Sequence, residues 1–232
     1  PGRRQRRQSD RPAFAALKDA ELAMPDHEPP DSAADDFRCS VTGRFGCILA
    51  DPPWQFANRT GKVAPEHKRL ARYLTLSLPQ ICAIPVAQVS AERSHLYLWV
   101  PNALLAEGLA VVDAWGFTYK GLIVWHKIRK DGGSDGRGVG FYFRNVTELV
   151  LFGVRGGLRT LPPGRRQVNY LCSQKREHSR KPDELYAIVE NCSPGPYLEL
   201  FARNRRANWQ QWGNQVPSEP TSVSSVAEED GR

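Results

Sequence analysis

The 232-residue sequence predicts a layered α/β domain, and three observations carry that prediction. Short apolar runs that stop abruptly at Asp or Pro recur along the chain. Segments with helical apolar spacing separate them. The composition, 41% hydrophobic and 25% charged, is that of a globular chain able to bury a core. Alternation of this kind points to a layered α/β sheet, with ligands expected at the carboxyl ends of its strands.

The elements come in this order. Residues 1–35 combine five Arg in the first twelve positions with a polar, proline-rich stretch, and are expected to form a flexible arm. FGCILA, 45–50, is a short apolar strand, and HLYLWV, 95–100, is a second. Leu104, Leu105, Leu109 and Val112 recur at helical spacing in 103–115, before a stop at Gly116. KGLIVWHKI (120–128) and TELVLFGV (147–154) are two strands around a Gly-rich basic loop. In 181–191 Pro182 suits a first helical position, acids come next, and Leu185, Ile188 and Val189 share a face. PYLELFA, 196–202, reads as the last core strand, and the Ser/Glu-rich residues 217–232 as a disordered tail. The expected folded domain is therefore 36–216.

The formal charge is +7, of which the first twelve residues carry +4 and the last sixteen −3, leaving +6 on the intervening part. That balance favours a polyanionic partner such as nucleic acid, and it is equally an ordinary solubility charge. Eight Lys or Arg against Glu177 alone in 155–181 point to loops that track phosphates, or to solvated charge. The five cysteines lack zinc-knuckle or redox-dithiol spacing, so reduced thiols and a cytoplasmic location are expected, with no metal. No apolar run approaches 18 residues, and neither GxGxxG nor a P-loop occurs.

The most informative stretch is Asp51-Pro52-Pro53-Trp54, directly after the first strand. Two prolines fix φ and remove two N–H donors, so their carbonyls only accept. The Asp51 carboxylate also only accepts. Together they form a rigid acceptor pair for an –NH₂ group, with Trp54 as a flat face for an extruded base. A strand terminator with a core Trp is the plainer alternative.

DPPW resembles the catalytic motif of the MT-A70 family, the S-adenosylmethionine-dependent adenine N6-methyltransferases. YLTLSLPQICAIPV from Tyr73, HLYLWVPNALLAEGLAVVDAWGF, RNVTELVLFGVRG and SRKPDELYAIVENCSPGPYLELFARNRRANWQQWGNQV resemble further segments of that family in its order. The resemblance implies a Rossmann-like methyltransferase fold in circularly permuted order, with a mixed, mostly parallel sheet and helices on both faces. The catalytic motif would precede the cofactor-binding strand.

It also implies that Asp51 and the Pro52 carbonyl hold the adenine N6 amine, that Pro53 stiffens the turn and that Trp54 stacks on the base. Tyr73 and Glu148 fall at positions associated with the adenine pocket; packing beside a helix start and a strand-edge salt bridge are their alternatives. For S-adenosylmethionine the resemblance implies contacts from Asp51, Lys181, Glu199, Arg203, Arg205, Asn214 and Gln215. Lys181 would meet the methionine carboxylate and Glu199 the ribose hydroxyls, although Glu199 could instead pair with Arg203. Arg205 and Arg206 depart from the His-Asn type sequence of some members. The substrate polymer is read as DNA over RNA, and the expected assembly as a homodimer or a heterodimer with a related subunit. A non-catalytic nucleic-acid-binding subunit is the competing function. His67, His126 and His178 are isolated and read as surface or structural residues.

Overall fold

The computed structural model describes residues 33–56, 75–135, 142–174 and 180–214. Seven strands are present there: β1 (Phe45–Ala50), β2 (Ser90–Val100), β3 (Thr118–Ile128), β4 (Thr147–Arg155), β5 (Tyr170–Gln174), β6 (Tyr197–Leu200) and β7 (Trp209–Trp212). They form one sheet in the order β5-β3-β4-β2-β1-β6-β7. Only β4 among them runs against the rest, pairing antiparallel with β2 and β3. The expected mixed, mostly parallel sheet is the one observed.

The helices are α1 (Ala33–Ser40), α2 (Leu78–Ala83), α3 (Val86–Val89), α4 (Leu105–Ala114) and α5 (Glu184–Cys192). Strand alternation decides which face each apolar residue serves. Ile48 and Ala50 of β1, Leu96 and Leu98 of β2 and Leu198 of β6 join Phe37, Ile81, Val86, Val111 and Trp115 of the α1–α4 side. Their neighbours Cys47, Leu49, Tyr97 and Trp99 point the other way, onto Leu185 and Val189 of α5. Every residue of β1 is buried, which explains its unbroken apolar run.

From β1 the sheet grows one way through β2, β4 and β3, and from β6 it grows the other way to β7. The β1/β6 boundary is thus the topological switch point, where open α/β sheets bind ligands beyond the strand ends. Asp51 directly succeeds β1 and Glu199 lies in β6, so the topology brings together residues 148 positions apart in sequence.

Several elements differ from expectation. β2 begins at Ser90, which pairs with Phe45 ahead of an irregularity carrying the exposed Glu92 and Arg93, and regular pairing resumes at Ser94 and His95. β6 ends at Leu200, because Phe201 adopts φ 61°, a left-handed conformation that cannot continue a strand. The basic stretch read as phosphate-tracking loop contains β5, paired with β3 from Tyr170 to Gln174. β7 carries its tryptophans three apart, which conceals strand alternation. α1 starts at Ala33, inside the expected arm, and buries Phe37 completely. The Phe37 and Trp212 rings lie nearly perpendicular with centroids 5.2 Å apart, and Trp212 Nε1–H donates to Asp36 at 2.7 Å. All five cysteines are free thiols. No helix among the described residues is long and apolar enough to cross a membrane.

Candidate catalytic centre at the carboxyl ends of β1 and β6 and the start of β4

The DPPW turn is held by backbone bonds on three sides. Asp51 N–H donates to Leu200 C=O at 3.4 Å, Trp54 N–H to Pro52 C=O at 2.8 Å, and Leu76 N–H to Pro53 C=O at 2.9 Å. Pro52 is buried and Pro53 partly so. The Pro52 carbonyl keeps a second lone pair, so it remains able to accept an amine hydrogen.

Trp54 is placed in the core of the protein. Its ring is only 6% exposed and packs in the α1–α4 core. Its Nε1–H donates to the Trp99 carbonyl at 2.9 Å. In this arrangement the ring presents no open face to a base. It braces the turn against β2, the placement foreseen in the plainer reading of a core Trp.

Lys181, just ahead of α5, lies 3.2 Å from Asp51 Oδ1 and 2.8 Å from Glu148 Oε2. Its ammonium also sits 4.9 Å from the Trp99 ring centroid, a cation–π position. Glu148, second residue of β4, binds Lys127 near the end of β3 through its other oxygen. Two carboxylates and two ammonium groups therefore alternate in a chain from Asp51 to Lys127. Each of these side chains keeps between 17% and 26% of its surface exposed, so the chain lines an open edge. Glu148 forms the strand-edge ion pair of the plainer reading, and it shares Lys181 with Asp51.

Charge sets the protonation states. Burial alone would raise the Glu148 pKa, but Lys181 and Lys127 outweigh it and bring it down to about 2. For Lys181 burial favours the neutral amine, yet Asp51 and Glu148 hold its pKa above the ordinary value.

Glu199 behaves in the opposite way. Desolvation pushes its pKa up to about 7, and the negative Asp51 adds to the rise. The Tyr186 hydroxyl donates to it at 2.7 Å, and Arg206 opposes the shift from a greater remove. Arg206 stacks over the Tyr186 ring at 4.2 Å and bonds Glu190, which also accepts from Trp209 Nε1–H. Glu199 is thus a carboxyl whose pKa burial raises, with acceptor capacity left over beside the Tyr186 bond.

The remaining expected residues divide by location. Arg203 is partly buried, and Arg205 and Asn214 are exposed, all in the chain that leaves β6 and passes β7. Gly213, next to Asn214, packs so closely on β6's exit that a Cβ there would lie 2.5 Å from the Ala202 carbonyl. Tyr73 and Gln215 lie outside the described residues, as do His67 and His178. His126 is bonded by Tyr170 and Ser134 at the β3–β5 edge.

Lys127 and Tyr186 touch these side chains and were not singled out from sequence, whereas Arg206 was noted there only as a departure from the family's sequence. Lys127 carried a usable signal, since a lysine near the end of an apolar strand needs a carboxylate partner. Tyr186 carried none, because its neighbours Leu185 and Ile188 already defined the helix face.

Comparison with known proteins identifies the family. The MT-A70 family model matches residues 45–215. An MT-A70-like protein of Medicago truncatula is 33% identical over 191 residues, covering 78% of this chain and 28% of its own length. The type II methyltransferase M.MunI of Mycoplasma sp is 28% identical over 207 residues, covering 81% of this chain and 84% of its own. The human N(6)-adenosine-methyltransferase catalytic subunit METTL3 is 30% identical over 197 residues, covering 81% and 31%. The chain thus spans under a third of the length of the plant and human relatives and most of that of M.MunI. With the DPPW turn at the switch point of a Rossmann-like sheet and a family match over most of its length, the chain belongs to the MT-A70 family.

Proposed function

We propose that this protein transfers a methyl group from S-adenosylmethionine to the N6 amine of adenine in nucleic acid. The observation that carries the reading is the Asp51 carboxylate, fixed at the switch point by Lys181 and leading into a turn whose Pro52 carbonyl still has a lone pair to offer. An –NH₂ group has two hydrogens, and these two acceptors match it.

The residues present fit the cofactor by their chemistry. Lys181 offers a cation for a carboxylate, and Glu199 offers acceptor oxygens for a diol, with one side already taken by Tyr186. When bound, S-adenosylmethionine supplies an electrophilic methyl on a sulfonium. The protein's own contribution is positional. Asp51 and Pro52 orient the amine lone pair, the prolines remove backbone freedom, and Trp54 keeps the turn from retreating. Asp51 need not be a strong base, because the amine loses its proton only as the new C–N bond forms.

We read the polymer as DNA, with RNA as the alternative; the relative matched over most of its own length is a type II methyltransferase. A dimer with a like or related subunit belongs to the same reading. The test is transfer of labelled methyl to matched single-stranded DNA, duplex DNA and RNA, with nucleoside analysis of the products. Label on N6-methyladenine is expected, strongest with a DNA substrate. Label on cytosine would overturn the assignment of the amine. Cofactor binding without any transfer would make the chain a non-catalytic partner.

A further inference from the structure

We propose that Tyr142 and Phe143 form a stacking platform for unpaired bases flanking the target adenine. The inference rests on the nucleic-acid reading above and adds a binding surface to it. These two side chains are the most exposed large apolar groups among the described residues, at 95% and 84%.

Their position is fixed by β4, which begins at Thr147. β4 runs opposite to its neighbours, so its first residues lie at the carboxyl edge of the sheet, with Thr147 opposite His126 and Leu149 opposite Val100. Lys127 N–H donates to Val146 C=O at 2.8 Å, and Asn102 Nδ2 to Thr147 C=O at 3.1 Å, so the approach to β4 is pinned from both sides. Phe143 is five residues from Glu148, which shares Lys181 with Asp51. Five residues span at most about 18 Å, which keeps the pair within a few nucleotides of the centre.

Chemistry selects the occupant. Arg144 adjoins the rings, and residues 127–144 carry five Lys or Arg against Asp131 and Asp135. Adjacent flat rings in a basic segment match stacked bases on a phosphate backbone. A second protein copy fits less well, because two rings offer roughly 300–500 Å², below the roughly 800 Å² per partner of a stable interface.

The test uses the full chain, a fluorescein-labelled single-stranded oligodeoxynucleotide containing adenine, and anisotropy at several salt concentrations. The Tyr142→Ala/Phe143→Ala double variant is expected to bind at least about 5-fold more weakly, the effect of losing one stacked base. The slope of log affinity against log salt should stay the same, because no phosphate contact is removed. Tyr142→Trp should bind as tightly as the parent, with its indole fluorescence quenched by the oligonucleotide. Methyl transfer by the parent chain, measured alongside, separates failure of the platform from failure of the catalytic reading. Unchanged affinity in the double alanine variant would overturn the proposal. So would absence of oligonucleotide binding by the parent chain, or a loss of affinity that tracks conversion of a dimer to monomer in sedimentation velocity.

Discussion

Two polar networks occupy the same face of the sheet, and they solve the problem of burial in different ways. Midway along the strands, His95 Nδ1 meets Ser193 Oγ at 2.8 Å, Tyr97 OH meets the same oxygen at 2.9 Å, and His95 Nε2 faces the Leu158 carbonyl at 3.1 Å. Everything in it is neutral: burial pushes the His95 pKa down and the Cys47 and Tyr97 values up. At the carboxyl edge, roughly 13 Å further along β1 at ~3.3 Å per residue, Asp51, Lys181, Glu148 and Lys127 form a chain of ion pairs. Dry interior makes isolated charge costly, so a purely structural network settles on neutral hydrogen bonds. Ions persist where the edge stays partly open to water and to a ligand. The same fold therefore separates a group that holds the sheet together from a group that acts on something outside it.

The contrast can be broken most severely in the interior. His95→Ala leaves the Ser193 hydroxyl and the Leu158 carbonyl short of a partner and opens a cavity, at a cost of about 2–4 kcal/mol. A melting temperature lower by roughly 10 °C is expected in calorimetry. Methyl transfer per folded molecule should be unchanged, since His95 touches none of the residues of the catalytic centre.

Glu148→Gln tests the charged edge with a smaller effect on stability, about 1–2 kcal/mol at neutral pH after allowing for its partial exposure. The sign with pH comes from its depressed value. Glu148 stabilises the fold above its ordinary pKa of 4.5, and that contribution fades as pH falls toward about 2. Acid titration of stability should therefore be shallower in Glu148→Gln than in the parent between those limits.

Glu199 predicts the reverse slope. Its folded value of about 7 lies above the ordinary 4.5, so the folded state binds the extra proton between them and stability falls as pH rises through that window. Glu199→Gln removes this loss and should melt at a higher temperature than the parent at pH 8. If Glu199 faces the cofactor ribose, the same variant should bind S-adenosylmethionine more weakly by calorimetric titration. A gain in stability without loss of affinity would detach Glu199 from the cofactor.

The smallest expected stability change belongs to Trp54→Phe, which keeps most of the packing and loses one hydrogen bond to Trp99, about 1 kcal/mol. Its kcat should fall by roughly 10-fold with little change in KM, because a loosened turn misplaces the amine acceptors. A change confined to KM would instead mark Trp54 as a substrate contact.

What the sequence disclosed reflects where its physics is local. β1, β3, β4 and α5 were legible because buried strands and amphipathic helices impose their own periodicities. Pro52 and Pro53 announced a rigid acceptor turn, since proline's constraints act on the spot. β5 and β7 stayed hidden because YLCSQ and WQQW owe their strand form to neighbours, β3 and β6, that lie far off in sequence. The orientation of Trp54 was hidden for the same reason, as it depends on the Trp99 carbonyl 45 residues away. Lys181, Glu148 and Glu199 could be named individually, but their charge states could not, because each is set by partners that only the fold assembles.

The most direct test of the division between a structural interior and an acting edge is Asp51→Asn. Labelled methyl transfer to an adenine-containing oligonucleotide would be measured at saturating substrate and cofactor, with the melting temperature recorded in parallel. Asparagine keeps the size of the side chain but loses the negative charge and so the ion pair with Lys181, while Lys181 keeps Glu148. Transfer should fall by at least about 100-fold, the scale for removing one oriented polar contact at a reacting centre, with the melting temperature moving by no more than ~3 °C. Undiminished transfer, or a loss that merely tracks unfolding, would contradict the assignment of Asp51 as the group that holds the amine.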